Sequence, residues 1–443
     1  MSKRTLLSGL IVLLVLGLVA CGGPAPTEAP AEEEEAAPPA AEEEKVELRF
    51  WMHQNPAFIA ANEELIRRFE AEHPNVTVKM ETFEYDLFIQ TLQTAMPAGT
   101  EGDILELFGT WVCSYAEGGR LAEMPDNVMS RAEAEELFFA APLQGYDCSG
   151  KLYGLPHEFN IENGAALVNP AMFEAAGLEY PPKWDTMADL LSDAQKMTQL
   201  DGDVMTVAGF HNVSGDGLAF QLLAGILQRG GEYWKPDGSG LQLDTPEARE
   251  TLEWMKSLVD EYQVVDPFLF NDDSNWVGDA FFSNQAAIAF IGPWAAAEGL
   301  LEYPDMEFDY VAIPNYAGDK HYFAADAGWG KVVSVNSEHK DIAWEFVKFV
   351  TADSDNAKTY NVTSGTIPAL KSVVEDPTLL DDLPWIAADL PLLQYGRYIG
   401  PLPDRDLFWY DIVYPHVLGV LQDTETIDEA LVAMDAESNA MFE

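Results

Sequence analysis

Basic residues are scarce in this 443-residue chain: 24 Lys and Arg stand against 75 Asp and Glu, a formal net charge of −51. Residues 1–45 hold eight of the acids and three of the bases, so the remainder still carries about −46. A field of that sign repels DNA and RNA and excludes nucleic acid as a partner. The acids are spread along the whole chain, which reads as a solvated acidic surface; a cationic ligand or a metal is the alternative reading. Cysteine is nearly absent. Cys21, Cys113 and Cys148 form no C-x-x-C pair and no Cys/His cluster, so no zinc site is expected. No apolar run after residue 20 reaches the length of a membrane span. G-x-S-x-G, H-E-x-x-H, P-loop and dinucleotide fingerprints are all missing. No catalytic residue and no cofactor is therefore expected, and no internal repeat is visible.

What is present starts with a leader. Lys3 and Arg4 precede an apolar run from Leu6 to Ala20, too short for a permanent span of about 20 residues. Basic start, apolar middle and small residue before the cut are the layout of a secretory signal, placed at 1–20. Leu18-Val19-Ala20-Cys21 also resembles the lipobox of bacterial lipoproteins, which implies cleavage before Cys21 and acylation of its thiol. Residues 21–45 then hold eight Glu with Ala and Pro, and only Thr27 is β-branched. Such a segment cannot build a core and stays extended. It reads as a tether holding a body outside the cytoplasm. In an oxidising compartment Cys113 and Cys148 could close a loop of roughly 36 residues, contributing about 3 to 4 kcal/mol, or remain two buried thiols.

About 400 residues remain, enough for two cores. In "VELRFWM" Val46, Leu48, Phe50 and Met52 alternate as in a strand, and "EELIRRFEAEH" follows as a helix. Glu63–Arg67 and Glu64–Arg68 are i,i+4 pairs. "VTVKM" and "DILELF" read as further strands. A second unit has a helix from Thr245 and Pro246, strands at 285–291, 309–314 and 331–335, and a helix at 342–351. "TIDEALVAMDAESNAMF" reads as a last amphipathic helix. Strand and helix alternate with short joints, so the fold class expected is α/β with largely parallel sheets.

Five segments in order carry a family resemblance: "LIRRFEAEHPNVTVKM", "AGTEGDILELFGTWVCSYAEGGRLAEM", "GKLYGLPHEFNIENGAALVNPAMFEAAGLEYPPKW", "AFFSNQAAIAFIGPW", and the group "AWEFVKFVT", "SGTIPAL" and "PLPDRDLFWY". They resemble extracellular solute-binding protein family 1, the substrate-binding lipoproteins of sugar ABC importers that include the maltodextrin-binding proteins. The resemblance spans nearly all of 46–443. It departs at Gly102, where the family has Pro, at Lys183 before Trp184, where it has Thr, and at Val168, where it has Tyr.

The resemblance implies a two-lobe, type II periplasmic-binding-protein fold with a ligand cleft between lobes joined by hinge segments. Lobe 1 is expected at 46–158 and 310–360, lobe 2 at 159–309 and 361–443. It implies a sugar or oligosaccharide ligand, closure by hinge motion, delivery to ABC permease subunits in the membrane, and a monomer anchored by lipid at Cys21. A sugar offers ring faces and many hydroxyls, so its site needs flat aromatics and planar polar groups. Trp294 and Trp409 stand where the family places stacking aromatics, and Thr110 falls on a polar contact position. Trp111 follows a strand end, where open α/β sheets bind ligands; Trp329 lies between small residues, and Trp276 precedes a helix. His53, Gln54 and Asn55 form the loop after the first strand, and Glu84 opens a helix after the second. Glu158, Asn160 and Glu162 lie in the first crossing segment. Asp216, Asp326 and Arg397 complete the candidates.

Two other functions fit parts of the sequence. A glycoside hydrolase would need paired carboxylates, with Glu158 and Asp326 as the crude choice. A receptor of the same fold for a polyamine or quaternary amine would use acids and Trp as an aromatic cage.

Overall fold

Alternation decides the first strand of the body. In β1 (Val46–His53) the side chains of Leu48, Phe50 and Met52 are fully buried on one face, the period of two that a pleated strand imposes. The structure, a computed structural model, describes residues 45–268 and 277–443. The leader, Cys21, the tether and Trp276 lie outside the described residues.

Asn55 starts α1 (Pro56–Glu72): its carboxamide oxygen accepts the N–H groups of Ala57 and Phe58, each at 3.0 Å, and Pro56 occupies the first turn. On the exposed face Glu64 takes both Arg67 and Arg68, each at 2.8 Å. Arg67 thus turns to an i,i+3 partner rather than to Glu63, as both spacings share one helix face. The chain continues through β2 (Val76–Phe83), α2 (Tyr85–Ala98), β3 (Ile104–Phe108) and α3 (Gly109–Glu117). Phe50, Phe69 and Phe346 meet between sheet and helices, with ring centroids 5.1 and 6.1 Å apart. Burying each contributes about 1.5–3 kcal/mol.

The first lobe is a five-stranded sheet in the order β2, β1, β3, Trp329–Val333, Gly154–Pro156. Its first three strands are parallel and the last two run antiparallel to their neighbours. The C-terminal ends of the parallel strands, at His53, Phe83 and Phe108, therefore open on the same side. Under them lies a buried ion pair, Lys331 Nζ to Glu106 Oε2 at 3.0 Å, with Asn62 donating to the same oxygen. α3 also carries Cys113, which is bonded to Cys148.

The second lobe is built on Ile288–Phe290, Ala165–Val168 and Asp309–Ala312, all antiparallel. The largely parallel arrangement expected of both units is thus confined to the first. The central strand, Ala165–Val168, runs against both neighbours, and the two outer strands, joined through the helix Trp294–Glu302, run parallel to each other on either side of it. Ala166 and Val168 face the main core, while Ala165 and Leu167 face a second cluster with Phe281, Phe282 and Tyr310. Helices Gly215–Gln228, Pro246–Asp260 and Tyr414–Leu421 pack together beside this sheet. The last helix, Ile427–Ala440, opens with a capping box between Thr426 and Glu429.

The chain crosses between the sheets at 157–164 and returns at 313–328. The lobe boundaries expected at 310 and 360 fall inside elements of secondary structure. Residue 310 lies inside Asp309–Ala312, which is hydrogen-bonded to Ala165–Val168 in the second sheet. Residue 360 lies inside the helix Ser354–Ser364, which packs along α1. Among the described residues no helix is long and apolar enough to cross a membrane.

Candidate functional site

The ends of the parallel strands, the first crossing segment and the second-lobe helices enclose a cavity of about 500 Å³. β1 ends on His53, the loop after it adds Gln54 and Asn55, Glu84 joins with Tyr85 and Asp86 of the first turn of α2, and β3 ends on Phe108. The crossing segment adds Glu158, Asn160 and Glu162. From the other side come Asp216, Phe220, Trp294, Glu298, Arg405 and Tyr410.

Two indoles are held firmly in the wall. Trp294 is half-buried at the start of the helix Trp294–Glu302, and its Nε1–H donates to Glu162 Oε1 at 2.9 Å. The same carboxyl accepts the N–H of Gly292 at 2.6 Å and Asn160 Nδ2 at 3.1 Å. Only glycine fits at 292: a Cβ there would lie 2.7 Å from the Trp294 ring and 2.8 Å from Glu162 Oε1. Trp329 lies parallel to His53, with centroids 4.0 Å apart, and stacks on Phe108 at 4.0 Å. Its backbone N–H donates to Glu158 Oε1 at 2.8 Å. Ala327 and Gly328, with φ of 59° and 67°, make the left-handed turn that presents this N–H.

The electrostatics are dominated by carboxyls. Burial, with Glu106 and Glu162 nearby, pushes the Glu158 carboxyl up to about 8 despite its bond from Trp329. Burial, then Asp216, pushes Glu162 up to about 7 against its three donors. Burial, then Glu302 and Asp279, raises Glu298 to about 7. Burial lowers His53 to about 4, so the ring is neutral at pH 7. Arg405 is the one basic side chain of Lys or Arg type in the described wall. Its guanidinium contacts Asp326 at 2.8 Å, Asp216 at 3.0 Å and Asp406 at 3.1 Å, and lies over the Phe108, Trp409 and Tyr410 rings. Burial opposes its charge, but Asp326 foremost outweighs that and holds the group firmly cationic.

Ten of the residues singled out from the sequence meet in this wall: His53, Gln54, Asn55, Glu84, Glu158, Asn160, Glu162, Asp216, Trp294 and Trp329. Five do not. Trp409 is fully buried against Phe220, with centroids 5.1 Å apart, and under the Arg405 guanidinium; it is core packing, and its neighbour Tyr410 takes the cavity side. Thr110 and Asp326 are buried on each other, the hydroxyl donating to Oδ1 at 2.8 Å. Asp326 therefore anchors Arg405 from behind, and it does not form a pair with Glu158 across the cavity. Trp111 lies edge-on to Trp329 and borders a smaller hollow of about 190 Å³ beside Arg405. Arg397 is bonded to exposed Glu232 and lies over Tyr322, away from the cavity.

Residues 64–387 match the model of a bacterial extracellular solute-binding protein family. The chain belongs to that family. Membership places this solute-binding protein outside the cytoplasm, in a family of binding proteins. It is 28% identical over 347 residues to a putative binding protein of Brucella abortus (strain 2308), covering 77% of this chain and 80% of that one. It is 24% identical to the maltotriose-binding protein of Pyrococcus abyssi, covering 81% of this chain and 74% of the relative. An ABC substrate-binding protein from Listeria monocytogenes, solved in complex with cycloalternan, superposes with a TM-score of 0.74 at 23% identity, over 90% of this chain and 99% of that one. The two-lobe type II fold follows from these matches.

Sequence reasoning missed Phe58, Tyr85, Asp86, Phe108, Phe220, Glu298, Arg405 and Tyr410 in the wall of this binding protein. Glu298 stood one turn after Trp294, at i+4 and hence on the same face, and that spacing was a usable signal. Arg405 stands between Asp404 and Asp406 in the sequence, with no local pattern that marks it. Its partners Asp216 and Asp326 are remote in sequence, and only the fold brings them together.

Proposed function

We propose that this protein is the substrate-binding component of an ABC importer, taking a sugar or oligosaccharide into the cleft and handing it to the membrane permease. The observation that carries this reading is the half-buried Trp294 indole, set in a polar wall of about 500 Å³. Flat apolar faces suit the weakly apolar faces of pyranose rings. Glu84, Glu158, Asn160, Glu162 and Asp216 suit hydroxyls at the ring edges. The relatives support the same class: the names of several, maltotriose-binding protein among them, state a sugar ligand. Lobe closure about 157–164 and 313–328 would shield the ligand from water. In this reading the lipid on Cys21 and the acidic tether keep a monomeric receptor beside its transporter.

Thermal unfolding of residues 46–443 against a panel of saccharides tests the reading. A ligand at 100 times its Kd adds about 2.7 kcal/mol to stability by mass action, which raises the melting temperature by several degrees. The same saccharides should be recovered uncleaved, with no new reducing ends. A panel in which no saccharide shifts the transition, or one that is turned over, would reject this function.

A further inference from the structure

The acidic composition explains acids on the surface, where water solvates them. It does not explain acids inside the cleft. Glu158 and Glu162 are 5% and 6% exposed, and burying a carboxylate without a cation costs several kcal/mol. Charge in the described wall is unbalanced. Glu84, Asp86, Glu158, Glu162, Asp216 and Glu298 face Arg405 alone, and Arg405 is already matched by Asp216, Asp326 and Asp406. No Lys or Arg among the described residues forms an ion pair with Glu84, Asp86, Glu158, Glu162 or Glu298. His53 supplies no balancing charge, because its ring is neutral at pH 7.

Glu158 adds an independent observation. Its Oε1 accepts the Trp329 N–H, yet no donor among the described residues reaches its second oxygen, although the residue is nine-tenths buried and lines the cavity. That oxygen lies in a wall that also presents the Trp294 ring. Carboxylates beside indole faces suit a cation twice over, by ion pairing and by cation–π attraction. A neutral sugar would leave the Glu158 carboxyl in the protonated form that burial favours, whereas a bound cation would stabilise its charged form.

We infer that the saccharide taken by this cleft carries a protonated amine, seated against Glu158, Glu162 and Glu298. This rests on the sugar-binding reading above and narrows it to basic saccharides, such as free amino sugars and their oligomers. N-acetylation removes the positive charge while keeping the ring, so it should abolish the preference.

The test is calorimetric titration of residues 46–443 with matched mono- and disaccharides in neutral, free-amine and N-acetylated forms, with spermidine as a separate arm. The expected result is that the tightest binder is a free-amine saccharide, at least tenfold tighter than its N-acetylated form. Glu298→Gln, checked for an unchanged melting transition, should reduce that gap several-fold. A neutral or N-acetylated saccharide that binds as tightly as the amine overturns the inference and leaves the sugar-binding function standing. Spermidine binding more tightly than every saccharide, or no saccharide binding at all, overturns both.

Discussion

Glu158→Gln isolates the cost of keeping a carboxyl in the cleft. Glutamine has nearly the same volume and keeps an acceptor for the Trp329 N–H, which Glu158 Oε1 holds at 2.8 Å. It does not titrate. Burial raises the Glu158 carboxyl from 4.5 to about 8 in the folded protein. Between those values the folded state binds a proton that the unfolded chain has released, so stability falls as pH rises. The slope is about 1.4 kcal/mol per pH unit. From pH 5 to pH 8 the wild type should therefore lose on the order of 3–4 kcal/mol relative to the variant. The general repulsion of an acidic body also grows over this range, but both proteins share it, so the difference reports Glu158. Urea unfolding followed by tryptophan fluorescence at pH 5, 6, 7 and 8 gives the two curves. They should nearly coincide at pH 5 and separate steadily above it, with the variant the more stable at pH 8. Parallel curves across the range would refute the claim that this carboxyl is held against its preference.

The remaining predictions concern the supports of the site. Glu162→Gln should show the same divergence over a narrower window, complete near pH 7 because its carboxyl rises only to about 7, with on the order of 2–3 kcal/mol gained; a flat difference would contradict it. Arg405→Met leaves Asp326 buried without its cation and should cost about 3–5 kcal/mol in urea unfolding, together with loss of ligand binding; an unchanged midpoint would show that the Asp cage is not held by this charge. Asn55→Ala removes the cap of α1 and should cost about 1 kcal/mol; a loss of affinity without any loss of stability would instead mark Asn55 as a pure ligand contact.

Local patterns carried most of the fold. The alternation of Leu48, Phe50 and Met52, the Asn55-Pro56 start of α1 and the Thr245-Pro246 start of a later helix are all readable from a few neighbouring residues. The antiparallel second sheet was not readable, because its strands meet only after long excursions of the chain. The site divides in the same way. Residues at strand ends and in the first crossing segment, such as His53, Glu84 and Glu162, were placed by position along the chain. "FWY" gave no such guidance. Its three aromatics lie on a wide π-helical stretch, Leu407–Val413, where neighbouring positions point in different directions. Packing against Phe220 turned Trp409 inward and left Tyr410 in the wall. The Thr110–Asp326–Arg405 support is likewise tertiary, since its members are far apart in sequence.

The most direct test of the central claim is parallel calorimetric titration of residues 46–443 and of the variant Trp294→Ala with the saccharide panel. Trp294 is half-buried at a helix start, so its loss should leave the fold intact and remove one face of the cleft. The account predicts at least one saccharide binding the wild type at micromolar or tighter Kd, and binding the variant at least tenfold more weakly, a loss of about 1.4 kcal/mol or more. Equal affinity for both proteins would contradict it.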